Sequence, residues 1–381
     1  MPVGQIHPSE KSTYQDHDSG ATVHQLTNHR AHNHHFYFTN TGWYADGTKL
    51  LVSSDRGNAT NLYGIDLSSG EIHQLTDLTP LPLPREIEFL RACVNPTRDE
   101  TYFWNGLDLI ALDLNTLENR VLYQMDEGWD VSMINCSSDG AHVYASISED
   151  LSDRIRVDYL RGYVGFAETW EAKPLSRIIR AATDGSGGEA VYEEKYWIGH
   201  VNTSPTIPHI LTFCHEGPWD KVDNRIWGFD AEKGKAWKIR EPKEDGENVG
   251  HEYWFADGER IGYHGHLPDG SAHLGSCRYD DTDHIENSFP GRTGHIHSND
   301  ENLIVGDGGS VVRIWKWNGE AYENPRILCR HNSSSKIQQL HVHPRFSTDN
   351  SQVVFTTDVS GYGNVYLVDV PEFTTLPVID E

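Results

Sequence analysis

Seven consecutive residues, Gln338-Gln339-Leu340-His341-Val342-His343-Pro344, carry the densest chemical signal in this chain. On an extended strand, side chains two apart face the same side, so His341 and His343 are expected to reach one ion together. A third imidazole, His295 in Gly294-His295-Ile296-His297, comes from the preceding stretch of sequence. Gln338 would add an amide oxygen only if the chain bends there, because on a regular strand it points away. Three imidazoles and an amide include neither thiolate nor carboxylate. Such a set suits a divalent ion of borderline to hard character, with manganese, zinc, iron and nickel all admissible. Neutral ligands leave the ion its full charge, which favours a site whose anionic ligand is the substrate.

Two further clusters could move protons or hold charge. In Cys214-His215-Glu216-Gly217-Pro218-Trp219-Asp220-Lys221-Val222-Asp223-Asn224-Arg225, His215 and Arg225 stand at opposite ends of a tight, Gly-Pro-containing excursion. A turn held by its own side chains is the plain alternative. In Gly250-His251-Glu252-Tyr253-Trp254, His251 is expected to open a strand. His34, His35 and His200 fall at similar points.

The elements that must position these groups are legible as a repeat. An Asp-Gly or Asn-rich turn followed by an apolar run recurs at Trp43–Val52, Val94–Phe103, Asn135–Tyr144 and Trp254–Tyr263, with weaker copies at Asn202–Phe213, Ser298–Val305 and Phe346–Phe355. A second hairpin follows each, as in Leu62–Gly70 and Ile226–Asp230. Two hairpins make a four-stranded unit, and seven units at intervals of about 40–55 residues predict an all-β, seven-bladed propeller over residues 1–381. Ala21–Thr27 resembles the outer strand that ends an early repeat, so this N-terminal strand is expected to close the last blade. Residues 151–175 break the pattern as a charged, aromatic insertion, with a helical stretch expected near 154–161. One histidine per blade near a common mouth points to a ring of functional side chains.

The formal net charge of −26 argues against nucleic acid and anionic membranes as partners, and requires that any anionic substrate meet a local cation. Five scattered cysteines with no Cys-x-x-Cys pair support neither a disulfide framework nor a thiolate zinc site. No stretch approaches the roughly 18 apolar residues of a membrane span, and no apolar signal region is evident, so a cytoplasmic location is expected.

Over most of its length the chain resembles the bacterial oligogalacturonate lyases, propeller enzymes that degrade short pectin fragments. The likeness runs through Thr13-Tyr14-Gln15-Asp16, Trp197-Ile198-Gly199-His200, the Cys214–Arg225 excursion, His251-Glu252, Val305-Gly306-Asp307-Gly308 and the Gln338–Pro344 run. The resemblance implies manganese held by His295, Gln338, His341 and His343, with the base at His251 and an arginine important for activity at Arg225. His215, His200 and His34 are expected to bind the acidic oligosaccharide. The implied reaction is β-elimination, in which a neutral imidazole takes the C5 proton of a uronate whose carboxylate is neutralised by the ion. The segment before Gln338 is shorter than the family pattern, and His-Val-His replaces His-Pro-His. A lyase acting on another uronic-acid oligosaccharide is therefore the nearest alternative. The last strands, Phe355-Thr356-Thr357-Asp358 with Gly361, also resemble TolB-type propellers, which leaves a non-catalytic binding propeller as the second. A peptidase or glycosidase is disfavoured, since the chain shows no Gly-x-Ser-x-Gly elbow and no clear carboxylate pair.

Overall fold

The computed structural model describes residues 2–80 and 91–379, and these form seven antiparallel sheets. The first strands of the seven begin at Trp43, Ala92, Trp129, Ile198, Asn248, Ile296 and Arg345, one for each repeat read from the sequence. The fold is the seven-bladed β-propeller. The chain forms two compact units, one of Met1–Leu90 with Phe289–Glu381 and one of Arg91–Ser288.

Within each unit, adjoining sheets pack face to face, which is why their strands read as continuous apolar runs. In Lys49–Ser54 every residue after Lys49 is buried. Within the first unit, Leu50, Val52 and Ile65 pack against Val354, Val365 and Leu367 of a neighbouring sheet. Val353, Phe355 and Val368, which point to the opposite face, pack against Val305, Val312 and Ile314. The second unit repeats the device, with Tyr144 and Ile178 against Val201, Leu211 and Phe213. Each fully buried Val, Leu or Phe contributes about 1.5–3 kcal/mol, so these layers between sheets supply most of the stabilisation.

The expected closure is present and goes further than the sequence suggested. Thr22–Gln25 pairs with Asn364–Asp369, with Val23 opposite Val368. A second strand, Ser12–Gln15, adds outside it, and Ile6–His7 pairs with Ile72–Gln74 of another sheet. A side-chain bond from Thr27 Oγ1 to Asn364 Oδ1, 2.9 Å, locks the junction.

The insertion is helical at a different place from the one expected. Residues 154–161 form turns and a bridge between Asp158 and Val164, whereas the helix is Phe166–Ala172. Ile155 and Val157 are β-branched and favour extended backbone, while Ala167, Glu168 and Glu171 are better helix formers. Gly165 and Lys173, both left-handed, bound the helix before Pro174.

Closure through Val23 makes a direct prediction. Val23→Asp buries a carboxylate with no partner and should cost about 3 kcal/mol or more of folding stability, read as a lower urea midpoint. The exposed Val3→Asp serves as the control and should leave the midpoint unchanged.

Candidate metal centre and catalytic residues

His295, His341 and His343 converge so that one ligand atom from each lies within 4.8 Å of the others. They do so without the regular strand expected for the His-x-His pair. Gln338–Leu340 is a turn of 3-10 helix, and the His341 N–H donates to the Gln338 carbonyl at 3.1 Å. His343 then adopts a left-handed backbone, φ 45°, and the strand Arg345–Phe346 starts only after it. A left-handed conformation costs a residue with a Cβ about 1–2 kcal/mol, so it must be held. His35 holds it, with Nε2–H donating to the His343 carbonyl at 2.7 Å and Nδ1 accepting from Thr356 Oγ1 at 2.7 Å. The bend required for Gln338 is therefore present, and it lies in the 3-10 turn.

Asp307 fixes the third imidazole. Its Oδ2 accepts from His295 Nδ1 at 2.9 Å, and its Oδ1 accepts the His295 backbone N–H at 2.5 Å. The carboxylate thereby sets the tautomer and leaves the Nε2 lone pair as the ligand. Burial pushes the His341 pKa down to about 4, so this ring is neutral near pH 7, and its buried Nδ1 has no hydrogen-bond partner. Tyr37 meets His343 edge-on at 4.8 Å and Phe38 lies 5.7 Å from His295, giving the cluster an apolar wall. A cavity of about 310 Å³ opens beside it, lined among others by Arg292, His295, Asp307, His331 and His341. Three convergent imidazoles, an orphaned buried nitrogen and a carboxylate behind one ligand fit a divalent cation.

The second unit carries a separate cluster. Arg225 is buried, and its Nη1 donates to Glu216 Oε1 at 2.8 Å. Its Nε lies 3.6 Å from the buried Glu252. The other oxygen of Glu216 lies 3.6 Å from His200 Nε2. Burial disfavours the charged guanidinium, but Cys214, Glu216 and Glu252 outweigh it and hold the Arg225 pKa well above the ordinary range. Arg225 is therefore a fixed charge and a poor base.

His251 sits at a β-bulge, where Gly250 pairs with His264 but Tyr253 pairs with Gly262. The extra residue gives His251 a left-handed φ of 50° and lets it stack on His264, with Nδ1 and Nε2 of the two rings 2.8 Å apart. Trp219 stands edge-on to His251 at 4.8 Å and within 5.9 Å of the Arg225 guanidinium. Gly250 is needed there, because a Cβ would come within 2.4 Å of the Trp219 indole. The insertion buttresses the same excursion, since Trp170 covers Gly217 so closely that a Cβ would fall 2.3 Å from it. Trp170 also donates to Tyr196 Oη at 3.3 Å.

Comparison with known proteins places this arrangement. The family model for oligogalacturonate lyase matches residues 1–374. The chain belongs to the oligogalacturonate lyase family. It is 29% identical to an oligogalacturonide lyase of Pectobacterium atrosepticum, over 98% of this chain and 99% of the relative. It is also 29% identical to an oligogalacturonate lyase of Dickeya dadantii, over 94% and 96%. A solved oligogalacturonate lyase in complex with manganese superposes with a TM-score of 0.86 at 28% identity, covering 98% of this chain and 99% of that one.

Of the three histidines expected to touch substrate, two are committed elsewhere in three dimensions. Both nitrogens of His215 are taken, Nδ1 by Asp223 at 2.6 Å and Nε2 by Glu194 at 2.7 Å, while Tyr196 stacks on the ring at 3.8 Å. It braces the excursion, and neither nitrogen is left for a sugar. His34 turns into the fold, its Nδ1 3.1 Å from the His35 carbonyl, and its neighbours His35, Tyr37 and Phe38 serve the cluster in its place. His200 alone keeps a partly exposed ring, beside Glu216. His251 lies at the fourth position of Asn248–Trp254, inside the strand it was expected to open. Sequence reasoning did not single out Asp307, His264, His331 or Glu216, although Asp307 and Glu216 lie in motifs quoted above.

Two outcomes follow. Asp307→Asn should weaken divalent-cation binding about 10- to 100-fold in a competition titration with a chromophoric chelator. For His215, burial opposes the charged ring but the bonds to Asp223 and Glu194 prevail and raise its pKa. A raised pKa stabilises the fold below the unfolded value of roughly 6.5, and that contribution disappears as pH rises through the folded value. Denaturation midpoints should therefore show the advantage of the parent over His215→Gln shrinking toward alkaline pH.

Proposed function

We propose that this protein cleaves short α-1,4-linked galacturonide oligomers by metal-assisted β-elimination, giving an unsaturated uronate product. The observation that carries the reading is the convergence of His295, His341 and His343, with Asp307 behind the first. In a chain of net charge −26, such a neutral-ligand centre is the means of concentrating positive charge against an acidic sugar. These histidines, with Gln338 as fourth ligand, would hold the ion, proposed as manganese because a solved relative is described in complex with it. When bound, the ion supplies Lewis-acid neutralisation of the uronate carboxylate, which makes the neighbouring C5 proton more acidic.

The chain's own groups divide the remaining work. His251 is the base: donation from its Nδ1–H to His264 Nε2 leaves the Nε2 lone pair to accept the C5 proton. Arg225, charged at any working pH, opposes the carboxylate or the oxygen departing from C4. Glu216 aligns Arg225, and His200 borders the substrate from the same cluster. His215 and His34 enter the proposal only as supports of the binding surface. One propeller domain over residues 1–381, with residues 151–175 as its insertion, and a cytoplasmic location belong to the same proposal. Among the described residues no helix is long and apolar enough to cross a membrane.

The test is a continuous absorbance assay for the 4,5-unsaturated product with manganese-loaded protein and di- or trigalacturonate. His251→Ala should lower kcat by about 10²- to 10⁴-fold. Arg225→Lys is the better probe at that position, because removing a buried cation between two carboxylates also costs about 3–5 kcal/mol of stability. Turnover confined to another uronate oligomer would move the assignment to that sugar. No turnover on any, together with indifference to changes at His341 and His343, would leave a binding propeller.

A further inference from the structure

His331 plays no part in the reaction described above, yet it is only 2% exposed and lines the cavity beside the histidine cluster. The Ser333 N–H donates to its Nδ1 at 3.0 Å, so the proton of the neutral ring is on Nε2. That Nε2 is buried with no hydrogen-bond partner, which is rare for a donor in a folded protein. The backbone cannot turn to find one, because Thr357 Oγ1 donates to the His331 carbonyl at 2.5 Å. Arg292 lines the same cavity with an exposed side chain, and among the described residues it makes no ion pair.

The cavity's one carboxylate is already spent. Both oxygens of Asp307 are bound by His295, so the wall presents donors and positive charge. At about 310 Å³ the cavity lies at the small end of ligand sites, with room for roughly one sugar ring. We propose that this cavity is a second carboxylate subsite, in which the His331 Nε2–H and the Arg292 guanidinium hold the carboxylate of the uronate residue adjoining the one at the histidine cluster. This rests on the reading that the ligand is an acidic oligosaccharide. It adds a basis for preferring an oligomer of uronates to a single uronate or to a mixed oligomer with one neutral sugar.

The test compares two probes, digalacturonate and galacturonate, by calorimetric titration of manganese-loaded protein in a His251→Ala background that prevents consumption of the dimer. Arg292→Ala and His331→Phe should each raise the Kd for digalacturonate roughly five- to tenfold, and change that for galacturonate less than about twofold. An unchanged Kd for the dimer overturns the proposal. So does equal weakening for both probes, which would place the effect at the histidine cluster. Arg292→Ala alters only an exposed side chain and keeps the test decisive should His331→Phe fold poorly. Turnover by the unmodified protein reports separately on the proposed reaction. Its absence with the dimer-specific loss intact would sink the reaction and keep the subsite.

Discussion

A β-strand alternates its side chains between two faces, and within each unit the faces of adjoining blades are buried against each other. Regular sheet commits its side chains to those two faces, and several of the functional groups described here stand at a local break in the ladder. At the histidine cluster the break is the 3-10 turn Gln338–Leu340 followed by a left-handed His343. At the second cluster it is a bulge in each of two first strands, between Ile198 and Val201 and between Gly250 and Tyr253. The cost of these distortions is met by the stiffness of the layers behind them, and by single hydrogen bonds such as that from His35 to the His343 carbonyl.

Electrostatics imposes the next level of order. The protein is strongly acidic, but the groups proposed to meet substrate are cations and neutral donors. Arg225 keeps its charge inside the fold because Glu216 and Glu252 lie against it, while burial keeps His341 neutral. The same physical variable, exclusion from water, has opposite consequences at the two residues because one has carboxylate partners and the other is packed against the rings of His295 and His343. Asp307, with both oxygens committed to His295, lends orientation to an imidazole without turning its negative charge toward the cavity.

Much of this was legible in the chain itself. Asp-Gly and Asn-rich turns between apolar runs are local chemistry, so the number of blades and the closing strand could be read from turn residues and periodicity alone. Ligand types were legible too, since His-x-His with a distant histidine and no nearby thiolate already narrows the ion. What could not be read was direction. A one-residue bulge reverses which face a side chain meets, and neither the bulge at His251 nor the left-handed turn at His343 has a sequence signature comparable to Asp-Gly. His34 illustrates the limit: it lies one residue from His35, which buttresses the cluster, yet its own ring points into the core.

Partnership was decided only in three dimensions. Nothing in the sequence pairs Asp307 with His295, His264 with His251, or His215 with both Asp223 and Glu194. Hydrogen bonds of this kind join residues on different strands at angles set by sheet twist and packing, which one-dimensional spacing does not record. By itself, then, the sequence determined the seven blades, their closure and the inventory of candidate ligands, because these rest on local turn chemistry and side-chain type. The tertiary structure decided which of those side chains face one another and which are spent as braces, because that depends on breaks in the ladder only a few residues long and on contacts between distant strands.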